Sequence, residues 1–286
     1  MLPYITVFGA SFSSYSITAG IGFFAMWLAA WLATRRQNDI DQNHIPHIAV
    51  TAMAGLFLGA HLLFGIVNIR PLFLAIADGF SQLPSLLSVM FFLGRIFGGM
   101  VFYGGLFGAI IGAYIYLKYV QLPFAPYYDV MAFCIPLFHG FARIGCFLGG
   151  CCYGVESECG IVYHNALEEA ANGVSRFPVQ LLESGLEFTL FAVILVLYKR
   201  KKCGGKLMYV YLLSYAVIRF FDEFLRGDEL RGFVGPLSTS QFISVLMFVT
   251  VIILLINKAM KGRKEPVPMS VSEKKPMEEA AIPADE

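Results

Sequence analysis

Apolar residues run through the chain in long blocks rather than in short alternations. Blocks of about 20 residues match the length of a helix that crosses the hydrocarbon core of a bilayer. Seven are legible, at about 17–34, 47–69, 98–119, 127–148, 179–198, 206–225 and 238–259. Residues 70–97 are also apolar, but Asp78, Gly79, Pro84 and Arg95 interrupt them. Irregular backbone is tolerated at membrane depth only where protein or water covers it. This segment therefore reads as an interfacial arm or a re-entrant element rather than an eighth span. The predicted fold class is an all-α integral membrane protein: seven transmembrane helices, a short arm, and a small external head formed by loop 150–178.

The basic residues orient this frame. With seven spans and an external N-terminus, every lysine falls on the internal side: Lys118, Lys199, Lys201, Lys202, Lys206, Lys258 and those beyond it. This is the positive-inside pattern, and one span more or fewer would break it. Arg35 and Arg36 follow the first apolar block instead of preceding it, so that block reads as a retained helix and not a secretory signal. Residues 260–286 are charged, rich in Pro and Ala and poor in apolar residues, as expected of a disordered cytoplasmic tail behind a membrane domain at 1–259.

Composition agrees. Hydrophobic residues make up 57%, charged residues only 14%, and the mean hydropathy is +0.67. Soluble domains run about 25% charged, so a soluble fold is excluded. A net charge of +1 gives no reason to expect a nucleic-acid partner.

Charge inside hydrocarbon costs roughly 2.5–3.5 kcal/mol per residue on the insertion scale, so such residues mark a cavity or a partner. Three stretches carry them. In the first, His139 and Arg143 are four apart and share a helix face, and glycines at 140, 145, 149, 150 and 154 permit close packing or an unwound, N–H-rich segment. In the second, Arg219 has Asp222 at i+3 and Glu223 at i+4; Arg226 continues the face, and Tyr211 and Tyr215 extend it. In the third, Pro178 suits a first helical turn, and Gln180, Glu183 and Glu187 line one face behind it. One of these glutamates is also a candidate partner for an arginine on a neighbouring helix. Guanidinium groups bind phosphate bidentately and stay charged. The residues alone therefore point to a protein that handles phospholipids or other anions.

In order and spacing these motifs resemble the prolipoprotein diacylglyceryl transferase family, over nearly all of the membrane part. Tyr15 and Phe23–Ala29, closed by Ala33-Thr34-Arg35-Arg36, are similar to its first helix. Phe102-Tyr103-Gly104-Gly105-Leu106 resembles its Phe-His-Gly-Gly-Leu segment. Ala142-Arg143-Ile144-Gly145-Cys146-Phe147 through Tyr153-Gly154 resembles its Gly-Arg-Ile-Gly-Asn-Phe signature. Pro178-Val179-Gln180-Leu181-Leu182-Glu183, Arg219–Arg226 and Leu237–Gln241 resemble three further motifs. The resemblance implies a bacterial inner-membrane enzyme that moves the diacylglyceryl group of phosphatidylglycerol onto the lipobox cysteine thiol of a prolipoprotein signal peptide. A thioether forms and glycerol phosphate leaves. It further implies Arg143 and Arg219 as phosphate-holding catalytic residues, Glu223 as the partner of Arg219, and Gln180 and Glu183 in the polar wall. Tyr15, Gly104, Gly154 and Gln241 complete the implied substrate site. No metal or other cofactor is implied.

The sequence departs from the family at several places. Tyr103 stands where the family has histidine, and Cys146 where it has asparagine; His61 stands at the arginine of its second helix. An unperturbed tyrosine, near pKa 10, is a poor base, so His139 becomes a candidate proton acceptor. Two other readings are a paralogue with the same donor and another acceptor, and a non-enzymatic anionic-lipid binder or transporter. A transporter would show inverted repeats more often, and no repeat is visible. Cys146, Cys151, Cys152 and Cys159 fit no common zinc spacing. They suggest packed thiols or one disulfide, with a metal site as the third option.

Overall fold

The computed structural model describes residues 1–7, 9–37, 40–79, 85–228 and 232–264. A β-hairpin, β1 Tyr4–Val7 and β2 Ala10–Ser13, leads into helices α1 Ser14–Thr34 and α2 His44–Val67. Then come α3 Arg70–Ala77, α4 Leu86–Phe97, α5 Phe102–Tyr119 and α6 Phe124–Gly149. An antiparallel pair, β3 Glu156–Val162 and β4 Ser175–Arg176, precedes α7 Val179–Lys199 and α8 Leu207–Asp222. After a single 3-10 turn, Glu223–Leu225, a short pair, β5 Phe233–Val234 and β6 Leu237–Ser238, starts α9 Thr239–Lys264.

Each of the seven apolar blocks is occupied by one helix. Helices α1, α2, α6, α7 and α9 are each long and apolar enough to cross a bilayer. The pair α4–α5 also qualifies together, but it is bent by 94°. Helix α8, at 16 residues, falls short of a full span by length. The chain is thus a mostly helical, multi-pass membrane protein. Its outer faces agree: Phe24, Trp31, Leu58, Leu62, Ile66, Ile111 and Ile115 are all exposed. A soluble monomer rarely tolerates apolar surface on this scale. The expected tail lies outside the described residues from 265 onward, as does Pro84.

The broken segment after α2 is two short helices. A reciprocal Ser85–Ser88 capping box starts α4. Its bend into α5 is pinned to α2, where His61 Nδ1 lies 2.8 Å from the Phe97 carbonyl. The Val101 N–H also donates to the Ala60 carbonyl at 3.2 Å.

Small residues decide how α2 meets α5. A Cβ built on Gly55 would lie 2.1 Å from the Gly108 carbonyl oxygen, and one on Gly59 would lie 2.2 Å from that of Gly104. Gly108 and Gly112 return the contact against Gly55 and Thr51. This is the small-xxx-small mode of helix association, backbone on backbone, which works where lipid removes the hydrophobic drive for pairing.

The two ends of the bundle differ. At the end bearing Lys118, Lys202 and Lys258, basic groups sit over aromatic rings: Arg35 on Trp31, Lys118 on Tyr114 and Lys258 on Tyr209. Asp129 is buried there and accepts from the Gly205 and Leu207 N–H groups at 2.5 and 3.0 Å. At the other end lie the N-terminal hairpin, residues 150–178, and residues 223–228 and 232–238. The 150–178 segment has a small core of its own, Tyr153, Tyr163 and Ala171.

Candidate active site

The stretches singled out by charge converge on one buried cluster at the hairpin-bearing end. Helix α6 supplies His139 and Arg143, and α7 supplies Glu183 and Glu187. Helix α8 and the turn behind it supply Arg219, Asp222 and Glu223, while α9 supplies Ser240 and Ser244. Of the two readings of the glycines around Arg143, close packing holds and an unwound segment does not. Helix α6 runs unbroken to Gly149, and only Gly150 leaves it, at φ 71°. Gly140 and Gly145 instead let neighbouring helices close on α6. A Cβ at 140 would meet the Phe188 ring at 2.6 Å; one at 145 would meet Thr18 Oγ1 at 2.3 Å and Tyr15 Cα at 3.0 Å. Ser184 then donates to the Gly140 carbonyl at 2.9 Å and fixes α7 against α6. Arg143 is thereby held between α1 and α7.

Each arginine has a carboxylate partner. Arg143 Nη2 donates to Glu183 Oε1 at 2.8 Å, so the glutamate that pairs across helices is Glu183. Arg219 Nη2 donates to Glu223 Oε2 at 2.5 Å and to Ser240 Oγ at 3.1 Å, while its Nη1 stands 3.9 Å from Asp222. Both i+3 and i+4 partners predicted for Arg219 are therefore in place. Glu183 joins the two groups, because it feels both guanidinium charges and faces Asp222. Not all of the arginine donors are engaged. Arg143 Nε and Arg219 Nη1 are buried and have no hydrogen-bond partner among the described residues. An unsatisfied donor of a charged group costs upward of about 1–3 kcal/mol when buried, so the site keeps binding capacity at the expense of stability.

His139 is sandwiched. Its Nδ1 lies 3.1 Å from Glu187 Oε1 and its Nε2 3.7 Å from Glu183 Oε1, and its ring stacks on Phe102 at 4.0 Å between centroids. Tyr103 reaches Arg219 only indirectly. Ser244 Oγ donates to the Ser240 carbonyl, so in the Tyr103–Ser244 hydrogen bond the phenol is the donor. Tyr103 thus braces α9, whose Ser240 holds Arg219.

A sequence profile of the prolipoprotein diacylglyceryl transferase family matches residues 3–257. The chain belongs to this family. It is 33% identical to phosphatidylglycerol–prolipoprotein diacylglyceryl transferase 2 of Clostridium perfringens, over 91% of this chain and 96% of that protein. It is 33% identical to the phosphatidylglycerol–prolipoprotein diacylglyceryl transferase of Clostridium tetani, over 85% and 92%. The protein of the same name from Clostridioides difficile is 30% identical, over 84% and 88%.

Other residues that the family resemblance puts in the site have structural partners. Gln180 accepts from the Tyr163 hydroxyl at 3.1 Å and donates to the Cys151 carbonyl at 2.8 Å, tying segment 150–178 to α7. Gln241 and Ser238 form a capping box: each side chain accepts the other's backbone N–H at 3.1 Å, which starts α9. Gly104 lies in the α2–α5 seam. Gly154 bridges to Arg226, where a Cβ would meet the Phe177 carbonyl oxygen at 2.3 Å. Tyr15, at the start of α1, is partly exposed beside the Arg143 turn.

One expectation needs correction, and one set of alternatives is narrowed. Arg226 does not continue the Arg219 face. The helix tightens at Glu223, the backbone becomes extended at Arg226, and its guanidinium forks onto Asp228 at 2.9 and 2.9 Å. That hydrogen-bonded pairing outweighs burial, and the guanidinium is held protonated more firmly than usual. Of the readings left open for the cysteines, free thiols are what the structure shows, and all six are free. Sequence reasoning also passed over Ser240, Ser244 and Phe102 as site residues. The Ser240/Ser244 spacing of four within an apolar block was the available signal for two of them.

Proposed function

We propose that this protein transfers the diacylglyceryl group of phosphatidylglycerol to the lipobox cysteine thiol of a prolipoprotein signal peptide. The observation that carries this is the pair of buried guanidiniums, Arg143 and Arg219. Each is anchored by a carboxylate, and each retains an unengaged N–H. The thiol sulfur attacks the terminal glyceryl carbon that bears the phosphate ester. A C–S bond forms, the C–O bond breaks, and glycerol phosphate leaves with the electron pair. Its phosphorus group changes from diester to monoester and gains negative charge. Arg143 Nε and Arg219 Nη1 are the donors that meet this charge, which is transition-state stabilisation by prearranged dipoles. Glu223 and Ser240 hold the plane of Arg219, and Glu183 holds that of Arg143.

The thiol proton goes to the His139–Glu183–Glu187 group. His139 is its acceptor, relayed through the carboxylates that face both ring nitrogens. In this reading seven helices span a bacterial inner membrane. The N-terminus, the arm and segment 150–178 face outward, the lysine-bearing end faces the cytoplasm, and the transferase domain ends near residue 259. Helix α8 crosses with its following turn.

Complementation of a bacterium depleted of its own transferase tests the reading. Growth together with a lipoprotein mass gain of one diacylglyceryl group supports it. Well-expressed protein without that gain points to a different acceptor. For proton acceptance, His139→Gln is expected to lower transfer by at least about 100-fold, the lower end of the range for general-base removal, with partial recovery at raised pH. Unchanged transfer in this variant removes His139 from the mechanism. An impermeant amine reagent is expected to label lysines in inside-out vesicles but not in intact cells.

A further inference from the structure

The spacing Cys146…Cys151-Cys152 looks unsuited to a metal, but the end of α6 alters what that spacing means. Cys146 is buried on the last helical turn. Gly150 then turns left-handed at φ 71°, and Cys152 follows at φ 58°. The second value is costly for a residue with a side chain. These two turns fold the chain back over the helix end, so that the three Sγ atoms lie within 4.8 Å of one another. Cys159, exposed on β3, is not part of the group.

A tetrahedral zinc thiolate site has Zn–S near 2.3 Å, which places its sulfurs about 3.8 Å apart. The three sulfurs would need to draw together by about 1 Å at most to meet that geometry. Their supports are already in place. The Cys151 carbonyl accepts from Gln180 at 2.8 Å, and the Glu168 carboxylate lies beside the Cys152 backbone N–H. Three thiolates around a dication leave one negative charge, and the Arg143 and Arg226 guanidiniums lie within Coulombic reach of Cys152 to offset it. With three protein sulfurs, the fourth coordination position is left for water or a small anion.

We propose that Cys146, Cys151 and Cys152 form a site for a thiophilic d10 dication such as zinc or cadmium. It stands one helical turn beyond Arg143, and it does not depend on the transfer reaction proposed above. Occupation would clamp the α6 terminus to the strap that follows it.

The test uses full-length protein, reduced and purified in detergent, with Cys134→Ala, Cys159→Ser and Cys203→Ser removing the other thiols. Cadmium is titrated against the ultraviolet thiolate-to-metal absorption band, and zinc is then used as competitor. The expected result is saturation at one cadmium per chain, with zinc displacing it. Adding Cys151→Ser or Cys152→Ser, both outside the helix, is expected to weaken binding by on the order of 100-fold, the upper end of what losing even a supporting group costs. Cys146→Ser should do the same where thermal unfolding shows a folded protein. Absence of the band overturns the proposal, as does a band that survives loss of Cys151 and of Cys152. Alkylation before reduction gives an independent check. Three modified thiols support the site, and a disulfide between Cys146 and either neighbour overturns it.

Discussion

Both ends of this bundle bury charge, but they treat it differently. At the lysine-bearing end, Asp129 is a buried carboxylate with both oxygens engaged, accepting the N–H groups of Gly205 and Leu207. Those bonds close the turn between α7 and α8. At the opposite end, two guanidiniums and a cluster of carboxylates are equally buried, yet Arg143 Nε and Arg219 Nη1 have no hydrogen-bond partner among the described residues. Burial of charge alone therefore does not mark the functional end. In the mechanism proposed above, unmet hydrogen-bonding capacity does, because a purely structural cluster would lose it at no cost to the fold.

The sharpest way to break this contrast is to keep the charge and remove the fork. Arg219→Lys and Arg143→Lys are each expected to lower diacylglyceryl transfer by on the order of 1,000-fold, the effect of losing a preorganised donor aimed at developing charge. Assays on purified protein, with unfolding followed in parallel, check this. Near-normal transfer in both variants would mean that the unengaged donors do not act on substrate.

A weaker effect of another kind is expected from Gly108→Leu in the α2–α5 seam, far from either charged group. A side chain there meets the Gly55 backbone oxygen, and a stability loss of about 3 kcal/mol is expected in detergent unfolding. Transfer per folded molecule should be retained. Asp129→Ala leaves two buried N–H groups without their acceptor and is expected to cost about 2 kcal/mol of stability. If it also slows transfer per folded molecule, the two ends are coupled and the contrast fails. The smallest effect is expected from Tyr103→Phe. The phenol acts through Ser244, so transfer should fall by less than about tenfold, the worth of one neutral hydrogen bond. A much larger loss would place Tyr103 at the reacting atoms.

The helical frame of the molecule was legible in the sequence because apolar length is a property of consecutive residues. Helix α5 starts at Phe102, and α6 and α7 fall within a few residues of the blocks that predict them. The Arg219–Glu223 pair was legible for the same reason, since i and i+4 share a helix face. Which glutamate would pair with Arg143 was not. Glu183 lies 40 residues away, and only the closure of α7 on Gly140 brings it near. Gln180, Gln241 and Gly104 have structural contacts that their motifs do not foretell. A motif marks that a residue is needed, but it does not separate a side chain that touches substrate from one that caps a helix or fits a seam. The cysteine group escaped because linear spacing carries no sign of the two left-handed residues that fold it together.

The bond from Arg219 to Ser240 has a consequence for how the protein is made. Arg143 and Glu183 belong to α6 and α7, so their pairing is available as soon as those helices have been delivered to the bilayer. Arg219 receives its second anchor only from α9, which is synthesised after α6, α7 and α8. A nascent chain halted before residue 240 would hold one finished arginine and one half-supported arginine. Full competence would then wait for insertion of α9, and chains halted before it would be left unable to process lipid.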